Sequence, residues 1–530
     1  MPHFFHGQAT NICHRLKHIC QLNGERAALC FPDRDSGRLS YAQLFRSITE
    51  AAYRLHSFGI GTGSRVMLCL DNQPELVVLA FACGYLGAVG VVANNRLGKD
   101  ELDYQLRDAQ VGHVVTSSDY LALFEDHAHD LDYKVIVCDG ENARTAGALP
   151  KLPLVENLAA STRVWPIVEV SPSSPALIFY TSGTTSHPKG VVISHALISW
   201  AADRNIASLG VGASDATLVF FPLHHTLGFS YQLLTSLFSG GLTVLRRVFN
   251  PARFWDDAEH FQCTWAAILP FVCHALTAFP IPERHSFKFW GFPSRNKEVE
   301  VAFKVRTTGW WGMTELFAIG CVTAHDGDDP NYSVGSPVPN IRYRLADTVP
   351  EGGPFDAVLS GELQIAGESG QSLFSGYLNK PEETAQAFSE DGWFRTGDRF
   401  FQSAEGILFF DVRLKDIIKV GGENVSSAEI EFAAFSSGLI KEVAVIAAPD
   451  PLWVEVPVVF AVLNEQGRSD EASARVRIMD TCHQRLADFK QPRHVFFLDD
   501  FPRAGMGKIA KNVLRGMVDP QTLHSRVGVA

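Results

Sequence analysis

The chain has 530 residues, too many for one ordinary domain and enough to bury a sizeable core. Hydrophobic residues at 46% and charged residues at 20% are ordinary globular values, which excludes a chain that is mainly disordered or fibrous. With 58 acidic against 46 basic side chains the formal charge is −12, which disfavours non-specific attraction to nucleic acid or anionic lipid, so any nucleotide it binds needs a locally positive pocket.

Residues 1–22 hold His3, His6, His14 and His18 but lack the apolar run of a secretory signal, so a cytoplasmic protein is expected. Ile12, Leu16 and Ile19 at helical spacing predict an amphipathic surface helix rather than a histidine metal cluster. The ten cysteines are scattered, with no Cys-x-x-Cys pair, and read as buried free thiols of a reducing compartment. Residues 76–93 contain no charge and reach transmembrane length, but Pro74, Gly84, Gly87 and Gly90 and the valine-rich end predict a buried helix, a turn and a strand instead of a membrane span.

Strands are predicted at 65–70, 113–116, 134–138, 176–180 and 242–245, alternating with helical stretches, which reads as α/β layers. After about residue 340 short strands punctuated by Gly352, Gly353, Gly361, Gly367, Gly370 and Gly376 predict a β-rich lobe. A smaller unit begins at Lys415, with strands at 443–448, 457–463 and 495–498 and a helix near 472–486. No internal repeat or low-complexity linker is visible.

The strand at 176–180 runs into Thr181-Ser182-Gly183-Thr184-Thr185-Ser186-His187-Pro188-Lys189-Gly190, with five hydroxyls, two glycines and a lysine in ten residues. Glycines let backbone amides approach an anion, hydroxyls donate to phosphate oxygens, and a lysine adds a mobile charge, so this is polyphosphate-binding chemistry. It is not a Walker loop, because no Gly-Lys-Ser/Thr opens a helix at the required spacing.

This segment, continuing through Val191-Val192-Ile193-Ser194-His195, resembles the phosphate loop of the acyl-adenylate-forming superfamily, which includes acyl-CoA synthetases, peptide-synthetase adenylation domains and beetle luciferases. Further motifs follow in the family's order. Phe221-Pro222-Leu223-His224-His225-Thr226 resembles the segment that positions the carboxylate, with His225 at the gate of the acyl pocket and His224 and Phe229 beside it. Trp311-Gly312-Met313-Thr314-Glu315 resembles the motif whose aromatic stacks on adenine, whose threonine binds phosphate and whose glutamate ligates magnesium, with Thr184 a second metal candidate. Trp393-Phe394-Arg395-Thr396-Gly397-Asp398 is similar to the ribose clamp, and Arg413 adds a second ribose contact by the same resemblance.

Residues 412–425 resemble the hinge between a large and a small domain, with Lys415 at the hinge and Lys419, Gly421 and Gly422 facing the thiol channel; Pro502-Arg503-Ala504-Gly505-Met506-Gly507-Lys508-Ile509 looks like the catalytic lysine loop. The resemblance therefore implies an α/β fold with a large multi-layer N-terminal domain over 1–414, built of two α/β sheet subdomains plus the β-rich lobe, and a small mobile α+β C-terminal domain over 415–530. It implies an acid–thiol ligase using ATP, magnesium and coenzyme A, in which Lys508, His225, Thr184 and Glu315 are catalytic. Thr181, Ser182, Gly183, Thr184, Thr185, Lys189, Gly291, Trp311, Gly312, Met313, Thr314, Asp398, Arg413 and Lys508 would bind the nucleotide. A homodimer is compatible with it.

No aspartate lies between Phe221 and Phe229 to hold a substrate ammonium, and Gly421-Gly422-Glu423-Asn424-Val425 resembles acyl-CoA ligases, those of the carnitine/crotonobetaine type included. A carrier-protein thiol as acceptor and a catalytically dead ligand sensor stay as alternatives; intact Lys189, Glu315, Asp398 and Lys508 oppose the second. The sequence departs from the family where Gly291-Phe292-Pro293-Ser294 replaces Gly-Gly-Ala-Pro, where Val412 replaces a glycine, and where Trp310 replaces a small residue of the acyl pocket. Trp310 should narrow that pocket while Gly312 keeps a second wall open, which favours a compact or ring-shaped acid.

Overall fold

In the computed structural model, which describes residues 11–34, 37–125, 133–138, 165–181, 188–324, 327–353, 357–413, 417–420, 423–450, 453–486, 488–503 and 508–518, the unbroken apolar runs become parallel strands covered on both faces. Packing divides the chain into two units, one of Met1–Arg342 with Ile365–Phe394 and one of Tyr343–Gln364 with Arg395–Ala530.

The first unit holds two sheets. A six-stranded sheet has the order Lys134–Val137, His113–Thr116, Arg65–Cys69, Val89–Val92, Pro175–Thr181, Lys189–Ser194, parallel except for its last pair. A nine-stranded sheet has the order Ser336–Pro337, Ile319–Val322, Arg306–Gly312, Phe289–Phe292, Trp265–Ala267, Ala216–Val219, Leu242–Leu245, Ala27–Cys30, Arg38–Ser40. Its strands run parallel from Arg306–Gly312 to Ala27–Cys30 and antiparallel at both edges. The strands expected at 113–116 and 242–245 coincide with those observed, and the one expected at 176–180 grows by a residue at each end.

Local chemistry sets the helix ends. Helix Ile12–Asn23 starts where the Asn11 side chain accepts from the Cys13 N–H, and it buries Ile12, Leu16 and Ile19 as its spacing predicts. The uncharged stretch 76–93 resolves into the wholly buried helix Pro74–Tyr85, opened by proline at its first turn, and the strand Val89–Val92. Among the described residues no helix is long and apolar enough to cross a membrane. All ten cysteines are buried free thiols, and burial pushes Cys69 and Cys83 up to about 12, which keeps them protonated and unreactive.

The second unit contains a four-stranded sheet ordered Arg342–Gly353, Ala357–Ala366, Phe394–Ser403, Leu408–Arg413, and a five-stranded sheet in which Val454–Leu463 is flanked by Ile440–Asp450, Ile417–Val420 and His494–Phe497. The five-stranded sheet is covered on both sides, as an α+β unit requires. Val445 and Val459 face helices Ser427–Phe435 and Glu471–Arg485 through Ile430, Ala434, Ile478 and Cys482, while Ile446, Val458 and Phe460 pack with Leu514 of helix Lys511–Gly516. The four-stranded sheet thus packs with residues 395–530, whereas the division at 414/415 concerns a hinge whose Lys415 lies outside the described residues.

One buried histidine makes the first unit sensitive to acid. His195 opens helix His195–Leu209, is 1% exposed, and accepts the Ile12 N–H on Nδ1 at 3.3 Å. Burial lowers it from 6.5 to about 4, so the fold holds it neutral. As pH falls below 6.5 the unfolded chain takes up the proton first; the stabilisation is complete above that pH and lost on the way down to about 4. Urea unfolding should show wild type losing about 2 kcal/mol between pH 7 and 5 more than His195→Gln does; equal losses would remove His195 as the cause.

Candidate active site

Parallel strands present their carboxyl ends as a ligand-binding edge. Strands Phe289–Phe292 and Arg306–Gly312 carry Gly291, Trp310, Trp311 and Gly312 to that edge of the nine-stranded sheet. Gly291 has no room for a side chain, since a Cβ there would fall 1.8 Å from the Trp310 ring. At Gly312 a Cβ would lie 2.2 Å from the Tyr231 hydroxyl and 2.6 Å from the Ala318 carbonyl. This corrects the expectation of an open wall: the space vacated by Gly312 is filled by Tyr231, whose ring meets Trp310 edge-on at 6.1 Å. Burial pushes the Tyr231 phenol well above its usual range, so it sits there neutral.

Tyr231 belongs to a π-helix, Leu227–Leu234, that follows the Phe221–Thr226 segment. Such wide turns are uncommon and recur at functional sites. The His225 carbonyl accepts the Phe229 N–H at 3.0 Å, and the His224 and His225 rings stand 4.5 Å apart. Burial, with His225 and Arg96 nearby, holds His224 well below the usual imidazole range, so this ring is neutral. The segment is clamped from the other sheet by Asn72, which accepts the Leu223 N–H at 2.8 Å and donates to the Phe221 carbonyl at 2.9 Å.

Strand Pro175–Thr181 leads to the phosphate loop, of which Ser182, Gly183, Thr184 and Thr185 lie outside the described residues, and strand Lys189–Ser194 leads away from it with Thr181 opposite Lys189. The Lys189 ammonium lies 2.7 Å from the Glu383 carboxylate and 4.6 Å from the centre of the Tyr377 ring. The Tyr377 hydroxyl donates to Glu315 Oε1 at 2.8 Å. Glu315 is buried in the turn after Gly312, where Leu316 and Phe317 both donate to the Met313 carbonyl and Thr314 is half-buried. Behind these groups Phe179, Phe229 and Phe317 form a buried triad, with Phe179 5.4 Å from each of the other two rings. Phe229, expected in the acyl pocket, is therefore core packing that joins the motifs, 1% exposed.

The remaining expected residues belong to the second unit. Asp398 is buried and its Cα stands opposite that of Arg413 in the antiparallel ladder. Thr396 supports it, accepting the Asp398 N–H at 3.1 Å and donating to the Leu363 carbonyl at 2.6 Å. Lys419 lies on strand Ile417–Val420, while Lys415, Gly421 and Gly422 fall outside the described residues. Lys508 is exposed and adjoins Ile509, which bridges back to Arg503.

The sequence profile of AMP-binding enzymes matches residues 16–378, and that of their C-terminal domain matches residues 429–508. The chain belongs to the AMP-binding enzyme family. A crotonobetaine/carnitine–CoA ligase of Proteus mirabilis is 31% identical to this AMP-binding enzyme over 525 residues, 94% of this chain and 97% of that protein. ATP-bound MatB from Rhodopseudomonas palustris superposes with a TM-score of 0.83 at 25% identity, over 96% of this chain and 98% of that one. An anthranilate CoA ligase in complex with anthranoyl-AMP shares the fold, with a TM-score of 0.85 at 24% identity over 97% and 98% of the two chains.

Sequence reading of this AMP-binding enzyme missed Asn72, Tyr231, Tyr377 and Glu383. Only Tyr377 had a nearby signal, because Gly376 before it was read as turn punctuation. The tight fit at Gly291 is testable: Gly291→Ala should cost about 1–3 kcal/mol in urea unfolding, and most of that cost should vanish in a Trp310→Ala background. Additive costs would mean that the indole does not occupy the space over Gly291.

Proposed function

We propose that this chain joins a carboxylic acid to coenzyme A in two steps, forming acyl-AMP and pyrophosphate from the acid and ATP, then acyl-CoA and AMP. The observation that carries this reading is the junction in the first unit of a phosphate-loop lysine, a buried carboxylate and a histidine pair of which His224 is neutral. Lys189, linked through Tyr377 to Glu315, is the charge arrangement that a polyphosphate with a divalent cation needs. The names of the relatives, CoA ligases over almost the whole chain, support coenzyme A rather than a carrier protein as acceptor.

In the first step a carboxylate oxygen attacks the α-phosphorus and the pyrophosphate oxygen leaves, so two anions meet and charge spreads over the phosphoryl oxygens. Lys508 and Lys189 offset that charge, Asp398 with Arg413 holds the ribose, and Trp311 stacks on adenine. A neutral His224 admits the acid without adding a fixed charge there at the pocket mouth. In the second step the thiol sulfur loses its proton and attacks the acyl carbonyl, AMP departs with the bonding electrons, and residues 415–530 turn about Lys415 to bring Gly421 and Gly422 to the thiol.

A buried carboxylate oriented by the Tyr377 hydroxyl suits a hard cation that draws its other ligands from phosphates and water. Glu315 would hold magnesium, with Thr184 as the second ligand, and the ion would supply positive charge to the triphosphate.

We infer a compact or cyclic acid, since Tyr231 fills the space left by Gly312 and the Trp310 indole packs against it and over Gly291. The ten buried thiols favour work in a reducing cytoplasm. Hydroxylamine trapping of acyl-adenylates across short, cyclic and long-chain acids, repeated with coenzyme A and with a carrier protein, tests all of this. Lys508→Ala should slow adenylation roughly 100- to 1,000-fold while a preformed acyl-adenylate still reacts with coenzyme A. Equal loss of both half-reactions refutes that role for Lys508, and turnover of palmitate with none of short or cyclic acids refutes the compact pocket.

A further inference from the structure

The segment Gly376–Thr384 is stitched to the strand that leaves the phosphate loop. Val192 donates to the Gly376 carbonyl at 3.1 Å, Leu378 donates to the Gly190 carbonyl at 2.8 Å, and Val191 bridges to Tyr377. Thr384 ties the segment to itself by accepting the Tyr377 N–H at 2.9 Å and donating to the Lys380 carbonyl at 2.8 Å. Tyr377 and Glu383 are thereby held as a fixed pair beside Lys189.

Each makes a polar contact with a group assigned above to the nucleotide. The Tyr377 hydroxyl donates to Glu315 Oε1 at 2.8 Å, and its ring lies under the Lys189 ammonium at 4.6 Å. A cation over the ring draws electron density from the phenol, which makes the hydroxyl a better donor to the carboxylate. Glu383 pairs with Lys189 at 2.7 Å and with Lys380 at 3.2 Å. Lys189 first, and Lys380 with it, hold the Glu383 carboxyl below its usual range against the opposing effect of burial, so it stays charged.

We infer that Tyr377 is a positioning residue that fixes the plane of the Glu315 carboxylate for the cation, and that Glu383 is a counter-ion from which the triphosphate must win Lys189. The inference rests on the roles proposed for Glu315 and Lys189. Glu383 neutralises Lys189, and the Tyr377 ring lies between its ammonium and the Glu315 carboxylate.

The test uses the full chain carrying Tyr377→Phe or Glu383→Gln. Mn2+ binding to the protein–ATP mixture is followed by electron paramagnetic resonance, ATP binding by calorimetry, and pyrophosphate release against Mg2+ concentration. Tyr377→Phe should weaken Mn2+ binding about fivefold or more and raise the Mg2+ requirement equally, with kcat at saturating metal within about twofold. Glu383→Gln should tighten metal-free ATP binding about threefold. Wild-type affinities in both variants overturn the inference. So does a Tyr377→Phe protein that loses kcat at every Mg2+ concentration with Mn2+ affinity intact, since that is a merely structural tyrosine. A wild type that releases no pyrophosphate with any acid overturns the ligase reading instead, and the two binding titrations still decide this one.

Discussion

The site of the first unit depends on one buried contact, the meeting of Phe179, Phe229 and Phe317. Phe179 lies two residues before Thr181 on the strand entering the phosphate loop, Phe229 lies on the π-helix after the histidine pair, and Phe317 lies two residues after Glu315. Three segments far apart in the chain are thus held at one point by aromatic faces with no polar atoms to satisfy. Truncating any of the three would open a cavity worth several kcal/mol, about 3–5 for a buried phenylalanine, and would release the strand of Thr181, the segment after His224 and His225, and the turn of Glu315 from one another together.

Around that apolar pin the charges are arranged in compensated form. The chain is acidic overall, yet its phosphate lysine is already paired, Glu315 is hydrogen-bonded, and His224 is kept neutral by burial. A buried group that is unpaired costs several kcal/mol, so a site that waits for a highly charged substrate must satisfy itself meanwhile. Glu383 and Tyr377 meet that need for Lys189 and Glu315. The two sheets are joined in a similar way at their carboxyl ends, where Asn72 grips the Phe221–Leu223 backbone and Arg247 bridges Asp71 and Asp119.

Packing also decides how much space is left beside Gly291 and Gly312. Trp310 is admitted only because Gly291 lies beneath it, and the hydroxyl of Tyr231 occupies what Gly312 leaves vacant. The π-helix contributes here through its wide turn, which changes the angular position of Tyr231 relative to an α-helix and sends it toward the strand carrying Gly312. A small residue in a pocket motif therefore signifies space only when its neighbours decline to use it.

The linear order of motifs was sufficient by itself for the family, the α/β class and the chemistry of phosphate activation, because hydroxyls, glycine amides and lysines at set spacings suit phosphates and a carboxylate suits the cation that accompanies them. Strand positions such as 113–116 and 242–245 were equally legible, since continuous β-branched runs have few other ways to be buried. Tyr377, Glu383, Asn72 and Tyr231 could not be read in that way. Each is an ordinary polar or aromatic residue in its local segment, and each acquires its place only when chain folding brings it against a distant partner, as Tyr377 meets Glu315 across 62 positions, Asn72 meets Leu223 across 151 and Glu383 meets Lys189 across 194. Sequence pattern specifies which groups can do chemistry, whereas long-range burial decides which of them are held, neutralised or walled in.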